Sequence, residues 1–148
     1  MLNEILLLDV GGTFIKCSDG REIPINSDGY REEISESFAE AVGRNNLQNS
    51  GIAVAIPGPF DYGKGIFLMK HKFAAIYGES FREVAGVPSR IELRFTHDVN
   101  CMLSGEMLCG NGRGFSRVAL VTLGTGLGFA MSIDGHILKN DAGSPLVS

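Results

Sequence analysis

Two aspartates are placed where phosphate chemistry could use them. In "LDVGGTFIK", Leu8 to Lys16, Asp9 ends an apolar run and is followed at once by Gly11, Gly12 and Thr13. Glycines in a tight turn let successive backbone N–H groups point into one concavity, and a threonine hydroxyl adds a donor, so this turn can cradle phosphate oxygens. Asp9 then stands where a cation bridging those phosphates needs an oxygen ligand. The same residues also suit a plain hairpin turn. In "FTHDVN", Asp98 follows an apolar run and begins a predicted helix, where the macrodipole favours its ionised form. A general base fits that position, and so does a helix cap.

The glycines match no common nucleotide fingerprint. There is no GxxxxGK[ST], and "LGTGLG" at 123–128 runs on into a β pattern rather than a helix, which argues against a dinucleotide-binding turn. In "MKHKF", His71 reads as a solvated or packed histidine, while Lys70 and Lys72 suit either a phosphate or a water-facing surface.

The elements that must hold these residues can be read from periodicity. "NEILLLDV", "TFIKCS" and "REIPIN" read as three strands in a meander, turning at Gly11-Gly12 and Asp19-Gly20. "YREEISESFAEAVGRN" spaces Ile34, Phe38, Ala41 and Val42 as one helical face, with Ser27 or Asp28 as cap and Glu32, Glu33, Glu36 and Glu40 toward water. "GIAVAIP" is a buried strand leading into the turn-rich "PGPFDYGKG". "GESFREVAG" reads as a helix and "RIELRF" as a strand. "HDVNCMLSGEMLCG" is a helix with Val99, Met102, Leu103 and Met107 on one face. "RVALVTL" is a buried strand, and "GLGFAMSIDGHIL" is two short runs about an Asp134-Gly135 hairpin. Three strands followed by alternating helices and strands predict an α/β layer with a mixed sheet.

With 148 residues, 44% of them hydrophobic, the chain can bury one sizeable core. The net charge of −4 argues against nucleic acid or an anionic membrane as partner and favours a small molecule. "ILLLDV" is too short to span a bilayer and lacks a basic leader, so a cytoplasmic protein is expected. Cys17, Cys101 and Cys109, an odd number without a CxxC pair, predict reduced, mostly packed thiols.

The strand-turn-strand at "VTLGTGLGFAMSI" echoes the opening "LLLDVGGTFIK". Residues 1–117 are therefore expected to form one domain and 118–148 the first hairpin of a second, so that the chain carries about the N-terminal half of a two-domain protein. The strands "RVALVTL" and "GFAMSI" would then lack sheet partners, and their apolar edges would invite self-association as a homodimer or larger assembly.

"LDVGGTFIK", "AIPGPFD", "FTHDVN" followed by "GE", and "LVTLGTGLG" with "IDGHIL" occur in an order that resembles the ROK family of bacterial sugar kinases and repressors. The resemblance implies a ribonuclease H-like, actin-like ATPase domain, plus the start of a second similar domain, closing on ATP and a sugar. It implies phosphate contacts from Asp9, Gly11, Gly12 and Thr13 and from Gly124, Thr125 and Gly126, with Asp9 toward Mg2+. It also implies that Asp98 takes the proton from the attacking sugar hydroxyl. Pro57 and Gly58 match a loop near the sugar, His97 stands where a sugar-binding Asn commonly precedes the base, and Glu106 lies on the helix behind the site. Phe14 replaces a common Asn, and Phe129-Ala130 replace glycines after the second phosphate turn.

An ATP-dependent sugar kinase is the leading expectation, with the chain on its own inactive as half of the cleft. A sugar-responsive repressor of the same family normally carries a helix-turn-helix ahead of the first hairpin, for which Met1 to Glu4 leave no room. A noncatalytic sugar- or nucleotide-binding module is disfavoured by Asp98.

Overall fold

The computed structural model describes residues 5–43, 50–124 and 127–146. The first strand, β1 (Ile5–Val10), buries Leu6, Leu8 and Val10 and turns Ile5, Leu7 and Asp9 outward, the period-two alternation of a half-covered strand. It pairs antiparallel with β2 (Phe14–Cys17), which pairs antiparallel with β3 (Glu22–Pro24), the predicted meander. The chain then crosses over through α1 (Arg31–Ala41) to β4 (Gly51–Ile56), parallel to β1. A small hairpin, β5 (Phe60–Asp61) with β6 (Ile66–Phe67), occupies the turn-rich segment. Next come α2 (Phe81–Ala85) and β7 (Glu92–His97), parallel to β4. The five-stranded sheet has the order β3-β2-β1-β4-β7.

One face of this sheet is covered by α1, α2 and the segment around β6. Phe38, Phe60, Phe67, Phe73 and Phe81 are all fully buried there, and Phe38 and Phe81 meet edge to face with ring centroids 5.2 Å apart. Ser80 caps α2 by accepting from Glu83 N (3.2 Å), and Gly86 ends it with φ +66°, a left-handed stop that suits glycine. The α1 start differs from expectation. Its N-cap is Tyr30, which makes no side-chain cap bond, while Ser27 is buried and its backbone is tied to other segments.

The second layer begins with α3 (Asp98–Cys109), which follows β7 without a loop. It packs on a separate antiparallel sheet of order β10-β9-β8, made of β8 (Arg117–Leu123), β9 (Leu127–Ile133) and β10 (His136–Ile137). Asp134 and Gly135 take positive φ of 49° and 81°, so the expected hairpin forms. Val99, Leu103 and Ala130 make a second, smaller core.

Several expectations about this layer are corrected. "RVALVTL" is not buried: Val121 is 54% and Leu123 86% exposed, because α3 covers only the face carrying Val118 and Leu120. Nor do these strands lack partners, since β8 and β9 pair along seven residues. Met102 turns out to solvent at 52% exposure instead of joining Val99 and Leu103, and Met107 is the methionine that packs with them. Cys17 is buried as expected, but Cys101 and Cys109 are exposed. Among the described residues no helix is long and apolar enough to cross a membrane.

The aromatic cluster gives the first layer its stability. Phe38→Ala is expected to cost about 3–5 kcal/mol in urea unfolding, whereas Tyr30→Ala, at an 83% exposed position without a cap bond, should stay within about 0.5 kcal/mol.

Candidate functional site

Because β1, β4 and β7 are parallel, their C-terminal ends meet at one edge of the sheet, where open α/β sheets bind ligands. The register sets Asp9 opposite Ala55 and Ile56 opposite His97, so Asp9, the Pro57-Gly58 turn and Asp98 emerge on adjacent strands. Between the uncovered face of the sheet and the first turns of α3 lies a groove of about 570 Å³. Asp9, Lys16, Ala55, Asp98, Cys101 and Met102 are among its walls.

Three smaller hollows adjoin these residues. One of about 280 Å³ joins Asp9 and Lys16 to Gly11, Thr13 and Phe14. Another, of about 530 Å³, is lined by Gly12, Thr13, Phe14, Ser27 and Lys72. The third, of about 440 Å³, holds Gly58, His71 and His97 against Asn140 and Ser144. Asn100 holds that last wall in place, since it is fully buried on α3 and its Nδ2 donates to Gly143 O at 3.1 Å.

The glycine turn is shaped by its own backbone. Gly11 N–H donates to Phe14 O (2.9 Å), while Ile25 N–H donates to Thr13 O (2.9 Å) and Ser27 N–H to Gly12 O (3.4 Å). The bonds recorded for Gly12 and Thr13 thus engage their carbonyls.

Asp98 sits in a mixed environment. Burial pushes its carboxyl up, but the His97 hydrogen bond and charge, the Val99 N–H and the Lys72 charge together hold it below the usual carboxylate range. Asp98 Oδ1 lies 2.9 Å from His97 Nδ1 and 2.8 Å from Val99 N. His97 Nδ1 is also 3.2 Å from Val99 N, where it could act only as an acceptor. An ionised carboxylate only accepts, so the proton belongs on Nδ1, and Val99 N–H is left to the shorter bond with Asp98.

Asp9 behaves in the opposite way. Desolvation in the groove raises its pKa first, the Asp98 charge raises it further, and Lys16, its partner across the β1–β2 ladder, lowers it. The Cys101 thiol, exposed but partly desolvated at the groove wall, is pushed up first by that desolvation and then by the charges of Asp9 and Asp98. Two carboxylates and a thiol therefore share one electrostatic neighbourhood.

Among the described residues no cluster of three or more His, Cys, Asp or Glu side chains stands ready to hold a metal. Mg2+ keeps most of its waters and is bound through one or two carboxylates plus phosphate oxygens, so a single carboxylate can serve as its protein ligand. Asp9 is the carboxylate on the glycine-turn side, and a cation there would offset the repulsion from Asp98.

The structure thus gathers Asp9 and Asp98 in one groove, with Gly11, Gly12 and Thr13 in adjoining hollows and Gly58 and His97 on the other side of Asp98. Pro57 ends β4 beside Gly58 and is absent from these linings. Gly124 ends β8 exposed, with open space where a Cβ would point. Thr125 and Gly126 lie outside the described residues. Glu106 lies on α3, two turns beyond Asp98, where its Oε2 accepts from Asn111 N at 2.9 Å and closes the turn before β8.

Sequence reasoning passed over Lys16, although its mirror position to Asp9 about the glycine turn was a signal. It also passed over Cys101, one helical turn beyond Asp98.

A model of the ROK family matches residues 6–144. The chain belongs to the ROK family. It is 29% identical over 152 residues to an uncharacterised protein of Clostridium perfringens, a match that takes in 93% of this chain and 52% of the relative. A ROK family glucokinase from Streptomyces griseus, solved with glucose and AMPPNP, superposes with a TM-score of 0.70 at 22% identity, covering 94% of this chain and 48% of the glucokinase. A ROK family transcriptional regulator, a homologue of the E. coli MLC protein, superposes with a TM-score of 0.65 at 16% identity over 98% of this chain and 40% of its own. The fold is the ribonuclease H-like, actin-like ATPase fold of the ROK sugar kinases. The chain spans about half the length of these relatives.

The opposed shifts of the two carboxylates make a pH prediction. Asp9 is raised, so its contribution to stability is present below the ordinary 3.8 and is lost as pH rises through its folded value. Asp98 is lowered, so its contribution is present above 3.8 and is lost as pH falls through its folded value. Asp9→Asn is therefore expected to raise the thermal midpoint at pH 7 and to lose that advantage at pH 3, whereas Asp98→Asn lowers the midpoint at pH 7. Calorimetry at the two pH values checks both signs.

Proposed function

We propose that the intact protein is an ATP- and magnesium-dependent sugar kinase. The observation that carries this reading is the meeting of Asp9 and Asp98 in one groove at the shared edge of β1, β4 and β7, with the Gly11–Thr13 turn beside the first and the Gly58–His97 hollow beside the second. A regulator shares the fold, so fold alone does not choose. The ionised carboxylate beside a phosphate-type turn favours transfer.

Phosphoryl transfer asks a protein mainly for positioning and for stabilisation of spreading negative charge. The Gly11–Thr13 turn would offer the N–H groups of Gly12 and Thr13 and the Thr13 hydroxyl to the phosphates, Gly11 N–H being held by Phe14 O. Asp9 would hold Mg2+, which supplies charge neutralisation for the phosphate oxygens. Asp98 accepts the proton of the sugar hydroxyl as its oxygen attacks the γ-phosphorus. His97 fixes Asp98 through the Nδ1 hydrogen bond and, with Gly58, borders the hollow assigned to the sugar.

The three-stranded sheet of β8, β9 and β10, whose small core is shared with Val99 and Leu103 of α3, is assigned as the start of a second domain that closes over the first. Closure would exclude water from the groove. The partners implied are ATP and a small sugar.

Asp98→Asn in the intact protein should keep ATP affinity while losing about 10²–10⁴-fold in sugar-dependent ADP release, because the amide cannot take the proton. An undiminished rate would assign the base elsewhere. A wild-type protein that transfers phosphate to no sugar of a broad panel would overturn the kinase reading itself.

A further inference from the structure

The segment "MKHKF" divides its three polar side chains among three places. Lys70 Nζ lies over the Tyr77 ring at 5.3 Å, and His71 borders the hollow beside His97. Lys72 turns to the glycine loop, its Nζ 3.5 Å from where a Cβ on Gly12 would stand. Among the described residues Lys72 has no carboxylate within 4.0 Å, so its charge is unpaired beside the turn.

This placement is built into the backbone. Phe73, the next residue, holds φ +54° and ψ +26°, a left-handed conformation uncommon outside glycine. It is kept there by its fully buried ring, packed 5.8 Å from Phe38, and by its N–H, which donates to Ser27 O at 2.7 Å. Ser27 N–H in turn donates to Gly12 O. Two backbone bonds through one buried serine therefore fix the lysine-bearing segment to the turn. The Lys72 charge is also felt at Asp98, where it helps to hold the carboxyl ionised.

Resting on the kinase reading, we propose that Lys72 is a further catalytic residue that contacts the γ-phosphate of ATP between the Gly12 turn and Asp98. As the sugar oxygen bonds to the γ-phosphorus and the bond to the β-phosphate oxygen breaks, ADP leaves with that electron pair and Asp98 takes the hydroxyl proton. Lys72 stabilises the negative charge on the transferring oxygens and takes no part in the proton transfer.

The test compares Lys72→Met with Lys72→Arg in the intact protein, using calorimetric binding of ATP and of ADP and then steady-state kinetics. Lys72→Met should weaken ATP about ten-fold and leave ADP within about two-fold, since only ATP carries the contacted group. It should also lower kcat by about 10²-fold, and Lys72→Arg should recover part of both losses. Equal weakening of ATP and ADP, or no change in either, overturns the assignment. A failed kinase reading appears separately, as wild-type protein that binds ATP but phosphorylates no sugar, and the ATP-against-ADP comparison still decides whether Lys72 meets the γ-phosphate.

Discussion

The parallel pairing of β1, β4 and β7 is the constraint on which the rest of the structure depends. It brings residues 9, 58 and 98, far apart in sequence, to one edge of one sheet. The register is held by what lies beneath. Leu6, Leu8 and Val10 pack on the aromatic core, and a slip of one residue would turn that whole set outward and drive Asp9 inward without a partner. The same core anchors α1 and α2, which make the two crossovers that keep the strands parallel.

At the shared edge the two carboxylates are pushed apart in acidity by their surroundings. Asp98 gathers His97, Val99 N–H and the field of Lys72 and stays ionised, while Asp9 is desolvated beside a like charge with only Lys16 to offset it. Pairs of titratable groups shifted in opposite directions are where distinct chemical roles are found. An ionised Asp98 suits proton acceptance, and a strained Asp9 suits a cation.

Much of this was legible in the sequence because period-two and helical patterns were clean. The meander, the crossover helix, the Asp134-Gly135 hairpin and the strand-to-helix junction at Asp98 all follow from local rules. What was not legible depended on tertiary contact. "RVALVTL" is apolar along its length, and only the coverage by α3 decides that Val118 and Leu120 are half-buried while Leu123 is open. The α1 cap was misplaced because Ser27 is drawn into backbone bonds with Gly12 and Phe73. Lys70 and Lys72 could not be told apart by type, and only the left-handed Phe73 and the neighbouring Tyr77 and Gly12 separate them. Thr125 and Gly126 lie outside the described residues, so the second phosphate turn stands on sequence resemblance.

The proposed function requires the glycine turn and Asp98 to face one groove that takes the nucleotide. Substituting paramagnetic Mn2+ for Mg2+ in the presence of ATP, and following backbone amide intensities by NMR, tests it most directly. The amides of Gly11, Gly12 and Thr13 and those of Asp98 to Cys101 are expected to broaden together. Broadening confined to the turn, with residues 98–101 unaffected, would contradict it.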